Sequence, residues 1–154
     1  MAALVEIKGA RQLQLKLDKV AIAIIQNGRL MGQLGELVKL RIKERTAKGV
    51  GADDKKFPPY SPGYKRWRGN VMKRPTDFVD LNLTGSMLSA MTQDATNNRV
   101  TVFFMDTVDR FGGRNPEKAF FNQERRNFFA INANDVAEVE TMVRDYLAAR
   151  LRKK

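Results

Sequence analysis

Residues 90–105, AMTQDATNNRVTVFFM, decide the fold class of this chain. The part RVTVFFM, at 99–105, is its clearest strand segment, because β-branched and aromatic side chains suit a pleated, half-buried surface. Asn97-Asn98 reads as a turn, and residues 90–95 supply an antiparallel partner, so the stretch is predicted to be a β-hairpin. Helical periodicity lies on both sides of it. A small antiparallel sheet packed against a long N-terminal helix and a C-terminal helix, an α+β domain, is the architecture this order implies.

Upstream, Leu13, Leu17, Val20, Ile24, Met31, Leu34, Val38 and Leu40 or Ile42 recur at spacings of three and four, a helical stripe. Gln26-Asn27-Gly28 interrupts it with polar, low-propensity residues, so the stripe is either one kinked helix or two helices meeting there. Cations between Arg41 and Lys48 suit the negative end of a helix dipole, and Gly49 and Gly51 are stop signals. Residues 3–8, ALVEIK, alternate as a short strand or an extended arm.

Downstream, Thr84 or Ser86 is placed to cap a short helix reaching about Met91. Asn115-Pro116-Glu117 reads as a helix start with Asn115 as cap and proline at the first position, the helix running to about Gln123. Residues 127–131, NFFAI, have the composition of a last short strand. Asn132 or Asn134 then caps a terminal helix with Val136, Val139, Val143, Leu147 and Leu151 on one face. No repeat or low-complexity tract divides the chain, and 154 residues with 43% hydrophobic content suit a single domain, 1–154, with a real core. No apolar run approaches the ~20 residues of a membrane-spanning helix, and no cationic leader with an apolar block opens the sequence, so neither a membrane nor a secretory signal is expected.

Between the first helical pattern and residue 80 lies an irregular segment, 49–79, far longer than an ordinary connection. Its centre, KKFPPYSPGYKRWRG at 55–69, mixes prolines, glycines, aromatics and cations, a composition expected to form an extended loop with at most one helical turn at 64–67. Charge concentrates here as well. Residues 39–74 carry twelve Lys/Arg against three Asp/Glu, whereas residues 75–154 balance at eleven of each. So local a positive surface attracts nucleic acid or an acidic protein face, unless it is only a solvated face. Phe57, Tyr60, Tyr64 and Trp67 are candidate interface anchors. Lys65, Arg66 and Arg68 are candidate contacts to DNA or to an acidic partner. The blander alternative is that Phe57, Tyr60 and Trp67 pack the loop onto the domain while the cations point outward.

The chain has no histidine and no cysteine, which removes the commonest general base, the usual zinc ligands and thiol chemistry. Asp77, Asp80, Asp94, Asp106 and Asp109 are loosely spaced. Asp106 and Asp109 could face a magnesium ion, but loop aspartates are far more often turn formers. GVGADDKK lacks the ending of a phosphate-binding loop. No catalytic residue, metal or cofactor is therefore expected. Aromatics interleaved with cations suit single strands or phosphate backbones, which makes a small basic nucleic-acid-binding protein the alternative reading.

Three segments in order resemble phage virion morphogenesis and tail-completion proteins. Arg45-Thr46 followed by Phe57-Pro58-Pro59-Tyr60-Ser61 and Tyr64 is similar to that family's G-x-x-F/W-x-P/Y-S-x-x-Y stretch, although Asp53-Asp54-Lys55-Lys56 stands where a glycine is common. Residues 79–88, VDLNLTGSML, resemble the family's next segment, and Arg125-Arg126-Asn127-Phe128-Phe129-Ala130-Ile131 with Asp135 resembles its closing one. The resemblance implies a structural, non-enzymatic virion protein of the neck or proximal tail of a tailed bacteriophage, assembled in the host cytoplasm. It implies a homo-oligomeric ring of six or twelve subunits around the DNA channel, with portal, adaptor or tail proteins as neighbours and non-specific contact with genomic DNA. Segment 49–79 would then be an assembly arm, preorganised by its prolines.

Overall fold

A computed structural model describes residues 27–151. The strand or arm expected at 3–8 and the helical stripe from Leu13 to Ile24 lie outside the described residues. Helix α1 spans Gly28–Ala47, α2 Pro62–Asn70 and the single turn α3 Ser86–Ser89. Strands β1 (Met91–Ala95) and β2 (Val100–Phe104) follow, then α4 (Asn115–Arg125) and α5 (Ala133–Leu151). The fold is α+β, with a two-stranded antiparallel sheet and helices before and after it.

The hairpin forms where its sequence says it should, in a register pairing Met91 with Phe104 and Ala95 with Val100. Thr96 N–H closes the turn on Arg99 O at 2.8 Å. Val100, Val102 and Phe104 alternate inward with the period of two of a strand that has one buried face. Against that face lies α1, which contributes Leu30, Met31, Leu34, Val38 and Ile42, and α5 adds Val139 and Val143. Phe104 meets Phe129 at 4.8 Å between ring centroids and Phe128 at 6.1 Å, closing the core. Helix α1 reaches the sheet closely because residue 35 has no side chain. A Cβ there would sit 1.5 Å from Gln93 Oε1 and 2.6 Å from Val100 Cγ2.

The backbone of Asn27 is extended (φ −139°, ψ 100°), so α1 starts at Gly28 and no helix runs through Asn27. The Asn27 side chain accepts from Arg29 N at 3.0 Å and caps the helix. The other end stops as expected, with Lys48 as C-cap and Gly49 in the left-handed region at φ 73°. The terminal helix opens with a reciprocal cap. Asn132 Oδ1 accepts from Asp135 N at 2.9 Å, and Asp135 Oδ2 accepts from Asn132 N at 3.0 Å. Asn132, not Asn134, is therefore the cap. Val136, expected on the apolar face, is exposed.

Three local readings are corrected. The short helix α3 covers only Ser86–Ser89, with Gly85 at φ 79° as its N-cap and no side-chain cap, so neither Thr84 nor Ser86 caps it and it stops short of Met91. Asn115 does not cap α4. Its side chain is buried, with Nδ2 donating to Ser86 Oγ at 2.9 Å and to Thr107 Oγ1 at 2.8 Å, so it ties three segments together instead. Residues 127–131 are not a strand, because their backbone groups are taken by side chains and by one loop. Phe128 O and Ala130 O accept from the Arg45 guanidinium, Phe129 N donates to Gln123 Oε1 at 2.8 Å, and Asn127 O accepts from Ala52 N at 2.7 Å. A strand-like composition is satisfied there without a ladder.

Candidate interaction groove

The expected loop contains more helix than its composition suggests. Ser61 Oγ accepts from Tyr64 N at 3.4 Å, and Pro62 occupies the first turn, where its missing N–H costs nothing. The nine-residue α2 follows, and its phase sorts the aromatic and basic side chains. Tyr64 and Arg68, one turn apart, share the inward side, while Lys65 and Arg66 are exposed. Trp67 lies between, 37% exposed.

Arg68, grouped by sequence with the outward cations, is wholly buried at 0% exposure. Its Nη2 donates to Asp80 Oδ1 at 2.7 Å and to Asn82 O at 3.2 Å, and its Nε to Pro75 O at 2.8 Å. Asp80 is the organising carboxylate of this region. The same Oδ1 accepts from Tyr60 Oη at 3.3 Å and from Asn82 N at 2.9 Å. Next to it, Leu81 holds a left-handed backbone (φ 52°), strained for a residue with a branched side chain and kept there by these contacts.

Phe57 is also placed by the fold. It is buried in the core, its N–H bonded to Gly49 O at 2.8 Å, so it packs the segment onto the domain rather than offering an interface. Tyr60 is half-buried, with the guanidiniums of Arg68 and Arg126 over its ring at 5.1 and 5.4 Å. Burial, opposed by Arg68 and reinforced by Asp80, pushes the Tyr60 phenol up to about 12. Arg126 donates to Pro58 O at 3.3 Å, and burial holds its guanidinium below its ordinary value. An aromatic series then runs outward. Tyr60 meets Tyr64 at 5.0 Å, Tyr64 meets Trp67 at 5.6 Å, and Trp67 meets Phe111 of the loop before α4 at 6.5 Å.

These elements enclose a groove of about 840 Å³. Pro58, Tyr60 and Tyr64 line it from the 49–79 segment, Leu81, Leu83 and Met87 from the following turn, and Lys118, Arg125 and Arg126 from α4 and its end. Asp109 also lines it, and the Lys118 ammonium bonded to this carboxylate holds it below the usual carboxylate range. Asp106 is likewise held low by Arg114, which donates to it at 2.5 Å, so the two aspartates considered for magnesium hold the 105–114 loop instead. Among the described residues no group of three metal-ligating side chains gathers.

Sequence reading missed Asp80, Arg125, Arg126 and Phe111 as parts of this site. The one local signal available was Ser61-Pro62, a cap followed by a first-turn proline, which sets the phase of α2 and turns Arg68 inward. Charge is redistributed accordingly. Of the twelve cations at 39–74, Lys39, Arg41, Arg45 and Arg68 are paired within the chain, while Lys65 and Arg66 form no ion pair with a described residue. No helix among the described residues is long and apolar enough to cross a membrane. The chain matches no family model, no curated protein and no solved structure.

Proposed function

We propose that this chain is a structural virion protein of a tailed bacteriophage, a ring-forming neck or tail-completion protein that joins head and tail around the DNA channel. One observation carries the reading. The three separated segments that resemble that family meet at one place: Tyr60 and Tyr64 from the first, Leu81, Leu83 and Met87 from the second, and Arg125 and Arg126 from the third line the same groove. Asp80 of the second segment braces α2 through Arg68, and Asp135 of the third is paired with Arg45 of the first. A motif set that is scattered in sequence and gathered in space describes a shared working surface.

The surface suits assembly. Segment 49–79 is pinned at many points, so docking through it orders little that is not already ordered. Trp67 and Phe111 form a contiguous exposed aromatic ridge, and Val108 and Phe121 add further exposed apolar side chains. In this reading the ring has six or twelve copies, its neighbours are portal, adaptor or tail proteins, and the chain is a component of the neck or proximal tail with no catalytic role.

The test is composition and incorporation. The chain should be present in purified particles by mass spectrometry. A Tyr64→Ala, Trp67→Ala double variant should stay folded and fail to enter them. Absence of the wild-type chain from particles would end the reading.

A further inference from the structure

We infer that the groove between α2, the 80–87 turn and α4 receives an extended, acidic peptide segment of a partner protein. The inference deepens the assembly reading and rests on it only for the origin of that segment.

Its first support is an orphaned donor. Arg68 lines the groove, is wholly buried, and uses Nε and Nη2 on Pro75, Asp80 and Asn82, yet its buried Nη1 has no partner among the described residues. A buried guanidinium nitrogen without an acceptor costs stability, and an acceptor arriving with a ligand removes that cost. Charge supplies the second support. Arg125 and Arg126 line the groove with Arg68 and Lys118, and Asp109, the one carboxylate lining it among the described residues, is already bonded to Lys118. The Arg125 side chain is exposed and forms no hydrogen bond or ion pair with a described residue. The groove is thus positive after its internal pairing is counted.

Shape and lining choose the class of anion. Leu81, Leu83, Met87 and Pro58 make an apolar floor that a bare phosphate backbone would leave unused, and about 840 Å³ holds several residues of extended chain. Tyr60 offers little to a stacking base, because two guanidiniums and the Tyr64 ring already engage it. Carboxylates alternating with apolar or proline side chains match both lining and charge, with one carboxylate on Arg68 Nη1 and another at Arg125.

The experiment pans a random peptide display library on the purified chain and measures binding of the enriched peptides by fluorescence anisotropy. Peptides with Asp or Glu between apolar residues should be enriched, and Arg125→Gln should weaken them by roughly tenfold without changing the fold. Binding should shift the Arg68 side-chain N–H signals in the wild-type NMR spectrum, a readout that does not depend on whether an Arg68 variant folds. Failure to enrich, neutral consensus sequences, or equal binding to Arg125→Gln would overturn the inference. So would a thymidine oligonucleotide that displaces the peptides and produces the same Arg68 shift, which would make the groove a nucleic-acid site. Peptide binding by a chain absent from particles would retain the groove and remove the neck reading; incorporation without peptide binding would do the reverse.

Discussion

Arg45 and Asp135, ninety positions apart, form an ion pair that is almost wholly out of solvent. The same guanidinium donates to Ala130 O and, at 3.4 Å, to Phe128 O, and the same carboxylate caps α5 through Asn132 N. One pair therefore joins α1, the irregular 127–131 segment and the start of α5. Asp135→Ala leaves the Arg45 guanidinium buried without its carboxylate and should cost about 3–5 kcal/mol in urea unfolding, while Arg45→Ala should cost less, because Arg41 Nε still pairs with Asp135 Oδ1 at 3.5 Å. The double variant should cost clearly less than the two singles added together. An Asp135→Ala loss below about 1 kcal/mol would mean that water reaches the pair and that the tie is weak.

Gly32 and Gly35 both sit inside α1 and should respond oppositely to alanine. At Gly32 a Cβ meets no described residue within 4 Å, so Gly32→Ala should raise stability by up to about 1 kcal/mol through helix propensity. At Gly35 the Cβ overlaps Gln93 and Val100, and Gln93 is held by its own bonds to Gly32 O at 2.8 Å and Glu36 at 3.0 Å. Gly35→Ala should therefore destabilise by about 1–3 kcal/mol. Thermal melts of the two variants check the contrast, and equal shifts would contradict the close approach of α1 to the hairpin.

What the sequence revealed and what it hid divide along the line between local and remote partners. The hairpin and the C-terminal end of α1 were legible because turn residues, stop signals and periodicity lie within a few positions of what they control, whereas the start at Gly28 was one of two readings the sequence left open. The 127–131 segment was misread because NFFAI has strand composition, while its hydrogen-bond partners, Arg45, Ala52 and Gln123, are mostly distant in sequence. Arg68 was misread for a related reason: whether a cation on a short helix points in or out depends on where the helix starts, and its partner Asp80 lies beyond an irregular stretch.

Tyr60 should make stability fall at high pH. Its folded value, about 12, is above the ordinary value of 10, so the fold favours the protonated phenol. That contribution is complete below pH ~10 and is lost as pH rises toward ~12, when the unfolded chain releases the proton first. With solvent screening of the exposed part of the ring discounted, the loss should be roughly 1–2 kcal/mol. Comparing urea unfolding of wild type and Tyr60→Phe at about pH 8 and about pH 11 isolates it, since other titrating groups are common to both. A difference between the two proteins that does not change with pH would show that Tyr60 titrates normally.

Lys65 and Arg66 carry the exposed charge of α2, and the burial of Arg68 leaves them as the pair to test there. In a ring each charge would be repeated in every subunit, and many phosphate contacts would hold DNA tightly and oppose its passage. Cations that face acidic protein surfaces do not have that effect. Lys65→Gln with Arg66→Gln should therefore reduce particle assembly while leaving DNA retention in completed particles unchanged, and should leave the melting temperature within a degree or two, as for exposed residues without partners. Intact particles that leak DNA would reverse the assignment and turn these side chains toward the channel. If assembly and retention are both unchanged, the two cations form a solvated face, and the working surface of α2 narrows to Tyr64, Trp67 and the aromatic ridge they share with Phe111.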